Sequence, residues 1–404
     1  MVEFDCHIRD QAQSHYLLSL SLSAIHYHFS PTTYHAHTMI VPRLLIPGPV
    51  DVEEDVLAVL GAPVVPHYGA AWGSMYMELL SALRQIFRTS GTTYAMPGSG
   101  TTALDMMMGN LLRRGERIIV CENGYFSHRL VEIAAGYGAE VIRVEAPWGE
   151  AISPDAVRAA FRDAGPVHAL ALVHAETSTG VVNPLREIAA IGVEHGVPVL
   201  ADAITALSGI ELDMDGWGVD FCASASQKAL AAPAGLGLLA VSERGWKLLD
   251  AKADAYPGWY LNLRRWRDYT NETPPWHPHP VTVPPGNVKA LHLQTHKILA
   301  MGLETYIARH ANAAARFRAG LAARGMSALV NGAAAAPTLT LVNLPAGAVQ
   351  QTVIDQLREQ YGLYTSGGFG PLQGRVLRIG HMGKAASDEY VDAALAALGE
   401  IFGK

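Results

Sequence analysis

HALALVHAETSTGVVNPLREIAAIGVEHGVPVLAD, residues 168–202, decides the fold. It opens on a nearly unbroken apolar run (168–173), crosses a small polar loop, continues at helical period (184–195) and closes on a second apolar run (198–201) that ends at Asp202. Strand, crossover helix and strand, with both strands apolar throughout, form the unit of a parallel sheet covered on both faces. The same alternation extends outward. Runs at 92–96, 117–121, 140–144, 220–223 and 237–241 read as further strands, and 101–112 and 154–163 as helices between them. The fold class expected is α/β, with a mostly parallel seven-stranded sheet. Downstream, the Pro- and Trp-rich stretch 257–286 reads as a long irregular connection, and a helical run follows from 288 to about 324. Strand-like 338–342 and 376–379 then flank a helical 349–360, and 387–402 closes the chain as a helix. The organisation expected is a large domain over 39–290, including an N-terminal arm, and a smaller α+β domain over 291–404.

Composition narrows the function classes. The chain has 404 residues, 50% apolar and 17% charged, which excludes a disordered polypeptide. No stretch approaches the ~18 apolar residues of a spanning helix, so no membrane segment is expected. Thirty basic against thirty-seven acidic side chains give a net charge of −7, which repels a phosphate backbone, and nucleic acid is not an expected partner. Cys6, Cys121 and Cys222 have neither CxxC nor zinc-ligand spacing. The latter two follow apolar runs and read as core, and so sparse a set points to a reducing compartment, the cytoplasm. Residues 1–38 hold six histidines and an apolar run (17–25) that lacks the basic flank and cleavage site of a signal peptide. Met39, followed by the apolar 40–46, reads as the true start, and 1–38 as an adventitious or disordered extension. The His-x-His pairs at 26/28 and 35/37 have no carboxylate or cysteine cluster beside them, so no metal site is expected.

Three features carry chemistry. Pro97-Gly98-Ser99-Gly100-Thr101-Thr102 joins a strand to a helix, where glycines permit close approach and the helix N-terminus presents N–H groups to an anion. It matches neither the Gly-Lys-Ser/Thr of a nucleoside triphosphate loop nor the GxGxxG of a dinucleotide fold. Asp202 ends a buried strand, at the edge where open α/β sheets bind ligands, and a carboxylate there needs a cationic partner. Lys228 is a lone cation among small and apolar residues, and burial would leave a nucleophilic amine suited to a carbonyl. Each also has a plain structural reading: a helix cap, an N-cap and a lysine that snorkels to solvent. Taken together, an anion cradle, a buried carboxylate and an amine answer to the phosphate, pyridinium nitrogen and aldehyde of pyridoxal 5′-phosphate.

The chain resembles the class V, fold-type I aminotransferases, in particular the alanine–glyoxylate, serine–glyoxylate and serine–pyruvate group. The resemblance rests on Pro47-Gly48-Pro49, Gly98-Ser99-Gly100-Thr101, Glu122-Asn123-Gly124-Tyr125-Phe126, the stretch from His174 to Gly180, Asp202-Ala203-Ile204, Ser226-Gln227-Lys228-Ala229-Leu230 and the stretch from Leu377 to Gly383, in order over about 40–402. It implies that Lys228 binds the cofactor aldehyde and moves protons, and that Asp202 pairs with the ring nitrogen. It also implies that Phe126 and Ile204 cover the two ring faces, and that Ser99, Gly100, Thr101 and Gln227 hold the phosphate, with Thr282 reaching it from a partner subunit. Thr177 falls beside the cofactor, and Arg378 matches the arginine that binds the substrate α-carboxylate. The activity implied is ping-pong transfer of an amino group from alanine or serine to glyoxylate or pyruvate, by a homodimer. A pyridoxamine–pyruvate enzyme shares a stretch like 378–383 and stands as the alternative, and loss of Lys228, Asp202 or Arg378 would have marked a non-catalytic protein on the same scaffold. Outside this set, His174 and Glu176 read as structural hydrogen-bonding residues, and Arg264, Arg265 and Arg267 as a solvated or subunit-contact surface. Trp72, Trp259, Tyr260 and Trp276 are candidates for the site entrance or a subunit contact.

Overall fold

The computed structural model describes residues 42–252 and 257–403, so the extension 1–38 and its histidine pairs lie outside the described residues. The central sheet has seven strands: β1 (Thr92–Pro97), β2 (Arg117–Glu122), β3 (Glu140–Glu145), β4 (Ala169–Val173), β5 (Val199–Asp202), β6 (Phe221–Ala225) and β7 (Leu236–Val241). Their order is β1-β7-β6-β5-β4-β2-β3, and all are parallel except β7, which runs antiparallel to both neighbours. Each of the seven apolar runs is a strand of this one sheet. Side chains alternate between its faces: Ile119 and Cys121 enter one core, Ile118 and Val120 the other. Cys121 and Cys222 are buried, free thiols.

Helices cover both faces. In chain order the principal ones are α1 (Ala70–Phe87), α2 (Gly100–Leu111), α3 (Tyr125–Gly136), α4 (Pro154–Asp163), α5 (Leu185–Glu194), α6 (Leu263–Glu272), α7 (Pro285–Met301), α8 (Leu303–Ala323), α9 (Gln350–Tyr361) and α10 (Asp388–Phe402). α1, α4, α5 and α7 pack on one face, and α2, α3 and α6 on the other.

Two expectations are corrected. The stretch 257–286 is not wholly irregular, because α6 forms inside it. The side chain of Asn262 accepts from the N–H groups of Arg264 (3.0 Å) and Arg265 (3.3 Å), and Leu263, Trp266 and Thr270 lie on the buried face at helical spacing. The single helix expected over 288–324 is two, divided at Gly302, whose φ of +88° suits glycine and ends α7. α7 runs unbroken across residue 290 and packs on α1.

The C-terminal layer is a three-stranded antiparallel sheet in the order β8-β10-β9, formed by β8 (Leu339–Asn343), β9 (Ser366–Gly367) and β10 (Val376–Gly380). α8, α9 and α10 share its core. The N-terminal arm joins this layer, since Arg43–Leu44 pairs in parallel with Leu363–Tyr364. From there the arm runs to Pro47 and Gly48, against Lys228.

Candidate active site

The parallel strands deliver their C-terminal ends to one edge of the sheet, and a cavity of about 210 Å³ opens there. It is lined by Ser99, Gly100 and Thr101 after β1, Phe126 after β2, Thr177 after β4, Asp202 and Ile204 at the end of β5, and Gln227 and Lys228 after β6. Residues scattered over 130 positions thus meet because a parallel sheet collects its strand ends on one side.

The loop after β1 turns through Gly98 at φ +140°, and the Ser99 N–H donates to Thr102 Oγ1 at 3.2 Å, fixing the start of α2. A Cβ on Gly100 would stand 2.4 Å from Ile204 Cδ1, so only glycine lets the helix N-terminus approach that side chain. The Thr102 N–H donates to the Ser99 carbonyl at 3.0 Å, while the N–H groups that open a helix lack an acceptor one turn back and their dipole favours an anion.

Asp202 accepts from the Ile204 N–H at 2.8 Å. Burial, with a smaller contribution from the charge of Glu176, raises its pKa to about 7, while the charges of Arg129 and Lys228 oppose the rise. Lys228 Nζ donates to the Pro47 carbonyl at 2.5 Å. Burial and then the charge of Arg378 bring its pKa down to about 8, against the pull of Asp202. Gly48 makes room for this amine: its φ is +93°, and a Cβ there would lie 2.7 Å from Nζ.

Glu176 orders the wall that carries Phe126. Wholly buried, it accepts from the N–H groups of Ser127 (2.7 Å) and Phe126 (3.4 Å), in the first turn of α3. It also accepts from the N–H (3.0 Å) and hydroxyl (2.7 Å) of Ser178. The structural reading of Glu176 therefore holds at this carboxylate, which satisfies N–H groups that a helix start leaves free. One turn along α3, Arg129 lines the cavity and places its guanidinium 5.1 Å from the Phe126 ring centre. Arg129 was absent from the expected site, as were Val173, Ala175 and Thr205, which also line it. The Phe-x-x-Arg spacing on a helix is the signal that would have found it.

Arg378 belongs to β10 in the C-terminal layer and does not line the cavity, although its charge is felt at Lys228. It is 8% exposed. Its Nε donates to the Gly367 carbonyl at 2.7 Å, and its guanidinium lies 4.2 Å from the centre of the Phe369 ring. That ring stacks in turn on Tyr125 at 4.8 Å. No acidic side chain pairs with Arg378 among the described residues, which removes the salt-bridge explanation of its burial. Thr282 is exposed and does not line the cavity of its own chain.

None of the remaining candidates lines the cavity. Arg267 and Arg264 pair with Asp250, and Arg265 covers Trp259. Trp72 is buried and donates to His279, Tyr260 hydrogen-bonds the Pro97 carbonyl at the end of β1, and Trp276 is exposed.

The cavity fits pyridoxal 5′-phosphate by its own unmet needs. Gln227 has a buried amide oxygen without a partner, and Asp202 is a buried carboxylate with no hydrogen-bonded cation among the described residues. A helix N-terminus faces the same space as a depressed lysine amine. The comparisons agree with this chemistry. The family model for aminotransferase class-V matches residues 78–371. The chain is similar to a protein of Methanocaldococcus jannaschii named as an uncharacterised aminotransferase, with 32% identity over 348 residues that cover 86% of this chain and 89% of that one. Among solved structures, it is similar to an alanine–glyoxylate aminotransferase from Nostoc sp., with a TM-score of 0.85 and 32% identity over 90% of this chain and 96% of that one. A pyridoxamine–pyruvate aminotransferase from Mesorhizobium loti gives a TM-score of 0.84 and 28% identity over 90% of this chain and 92% of that one. The match over most of its length, joined to a cavity with these unmet needs, shows that the chain belongs to the class V aminotransferases, enzymes dependent on pyridoxal 5′-phosphate.

Proposed function

We propose that this aminotransferase moves an amino group from alanine or serine to glyoxylate or pyruvate in two half-reactions, and that it works as a homodimer in the cytoplasm. The observation that carries the reading is Arg378, a buried guanidinium whose charge reaches Lys228 and whose one hydrogen bond among the described residues goes to the backbone carbonyl of Gly367. A cation held there with no salt-bridge partner among the described residues, felt only at a distance by Glu176, is suited to a carboxylate that arrives with the substrate, and its planar fork to a bidentate one.

Bound cofactor supplies an aldehyde that takes up the amino group and a ring that accepts electrons. The N-terminus of α2, with Ser99, Thr101 and Gln227, would hold its phosphate, and Phe126 and Ile204 would enclose its ring. Asp202 would hold a proton on the ring nitrogen, which its own ionised form requires. The charge of Arg129 favours that ionised form. Lys228 Nζ is the base for the substrate Cα proton, since an amine brought to about 8 is partly neutral at physiological pH. Thr177 lies beside this chemistry in the cavity wall. Thr282, exposed on its own chain, would complete the phosphate site of a second subunit, and an active monomer in sedimentation would overturn that assignment.

The small-substrate reading rests on the absence of a second cation beside Arg378 in the stretch 376–383. Half-reactions followed by cofactor absorbance, with alanine, serine, glycine, aspartate, glutamate and pyridoxamine as donors, test it. Alanine or serine should bleach the aldehyde form fastest, and glyoxylate or pyruvate should restore it. Aspartate equal to alanine would give Arg129 the side-chain carboxylate and overturn the reading. Pyridoxamine ahead of every amino acid would replace it with the pyridoxamine–pyruvate alternative.

A further inference from the structure

The sequence His292-Leu293-Gln294-Thr295-His296 places two imidazoles one helical turn apart on α7, and their ring centres lie 4.2 Å from each other. α1 packs alongside and contributes Glu78, whose Oε2 is 3.3 Å from His292 Nε2. The hydroxyl of Ser74, one turn earlier on α1, donates to the other carboxylate oxygen, Oε1, at 3.1 Å. This leaves Oε2 turned toward the histidines. His296 Nδ1 donates to the backbone carbonyl of His292 at 2.8 Å. That bond fixes the tautomer in which Nε2 carries the lone pair, the arrangement that orients histidines bound to metals. None of the three lines the cofactor cavity.

We propose that Glu78, His292 and His296 form a binding site for a divalent transition-metal ion of the zinc type, on the surface between α1 and α7. Their ligand atoms lie within 4.8 Å of one another. Around a tetrahedral ion with bonds of roughly 2.0–2.1 Å, donor atoms stand about 3.3 Å apart. The Glu78–His292 pair is already at that spacing. The other spacings, none above 4.8 Å, close as the ion draws its ligands in. Two imidazoles and one carboxylate select zinc, cobalt, nickel or copper over magnesium or calcium, which prefer all-oxygen sites. The Glu78 side chain is 55% exposed and that of His292 23%, so water completes the coordination and the ion exchanges with solvent. The bound ion ties α1, which leads into β1 and the phosphate loop, to α7, which leads into the C-terminal layer.

The test is titration of chelator-treated, cofactor-loaded full-length protein with zinc chloride, by calorimetry and by melting temperature, alongside His296→Ala, His292→Ala and Glu78→Gln. Glu78 and His296 are exposed, and their variants keep the fold. The wild type should bind one more equivalent of zinc per chain than either histidine variant. Zinc should raise its melting temperature and leave that of the histidine variants unmoved, and Glu78→Gln should weaken binding at least about tenfold. Ions held by the histidines of 1–38 are common to all four proteins and cancel in the comparison. Equal stoichiometry and an equal thermal shift in wild type and His296→Ala would overturn the site.

Discussion

Asp202→Asn separates what this carboxylate does to the fold from what it does for the reaction. The side chain is 5% exposed, and its carboxylate accepts the Ile204 N–H at 2.8 Å. Burial raises its pKa from 3.8 to about 7. At about 1.4 kcal/mol per pKa unit, ionising Asp202 costs roughly 4 kcal/mol more in the folded chain than in the unfolded one. A raised carboxyl holds its proton more tightly when folded. Its contribution to stability is therefore fully present below pH 3.8 and is lost as the pH rises through about 7. Asparagine keeps an acceptor for Ile204 and has nothing to titrate. Urea unfolding of the two cofactor-free proteins reads the difference: the advantage of Asp202→Asn should be about 2 kcal/mol at pH 5 and grow to about 4 kcal/mol at pH 8. Turnover moves the other way. Loss of a hydrogen bond to a charged ring nitrogen, about 1.5–3 kcal/mol, should lower kcat/KM roughly ten- to hundredfold. A stability gap independent of pH, or a variant less stable than wild type at pH 8, would refute the electrostatic account.

Borohydride reduction of the cofactor-loaded protein should leave a phosphopyridoxyl group on Lys228 in a peptide map, and Lys228→Ala should abolish turnover. Because burial brings this amine down to about 8, capture of added cofactor by cofactor-free protein should rise with pH through about 8, and a rise centred near 10.5 would contradict it. Arg378→Lys keeps the charge and loses the fork, so kcat/KM should fall about ten- to hundredfold for amino and oxo acids alike, with bound cofactor unchanged. Glu176→Gln turns an amide toward N–H groups that the carboxylate satisfied and should cost about 1–3 kcal/mol in unfolding experiments. By removing a charge that raises Asp202, it should also move the acid limb of the pH–rate profile downward.

The sheet was legible because its strands are buried on both faces, which writes them as apolar runs that need no partner to be recognised. The residues at their ends were legible for the same reason: Asp202 and Lys228 are charges where the surrounding composition is apolar. What escaped is whatever depends on contact across long sequence separations. Glu176 and Phe126 stand 50 residues apart, and nothing local to either says that one caps the helix carrying the other. Phe369 on Tyr125 joins two layers whose packing no periodicity encodes. In 257–286, Pro and Trp density hid α6, whose Leu263, Trp266 and Thr270 sit at helical spacing among charged neighbours. His292 and His296 stand four residues apart on α7, but Glu78 lies 214 residues from His292, beyond the reach of any local spacing.

The shifts of Asp202 and Lys228 run in opposite directions from one cause. Burial penalises any charge, so the carboxyl rises to about 7 and the amine falls to about 8, and the two end within about a unit of each other. The cost of burying charge thus opposes a full ion pair between them. Arg378, outside the cavity lining, keeps its charge despite burial, since its pKa falls only to about 10, and Arg129 supplies a cation to the wall itself. A helix N-terminus and Arg129 at the cavity, with Arg378 near enough for its charge to reach Lys228, favour anions, and a proton-bearing nitrogen would draw Asp202 to its ionised form. On the proposed function, phosphate, substrate carboxylate and ring nitrogen would meet those demands together, and each group that binds should make the next one bind more tightly.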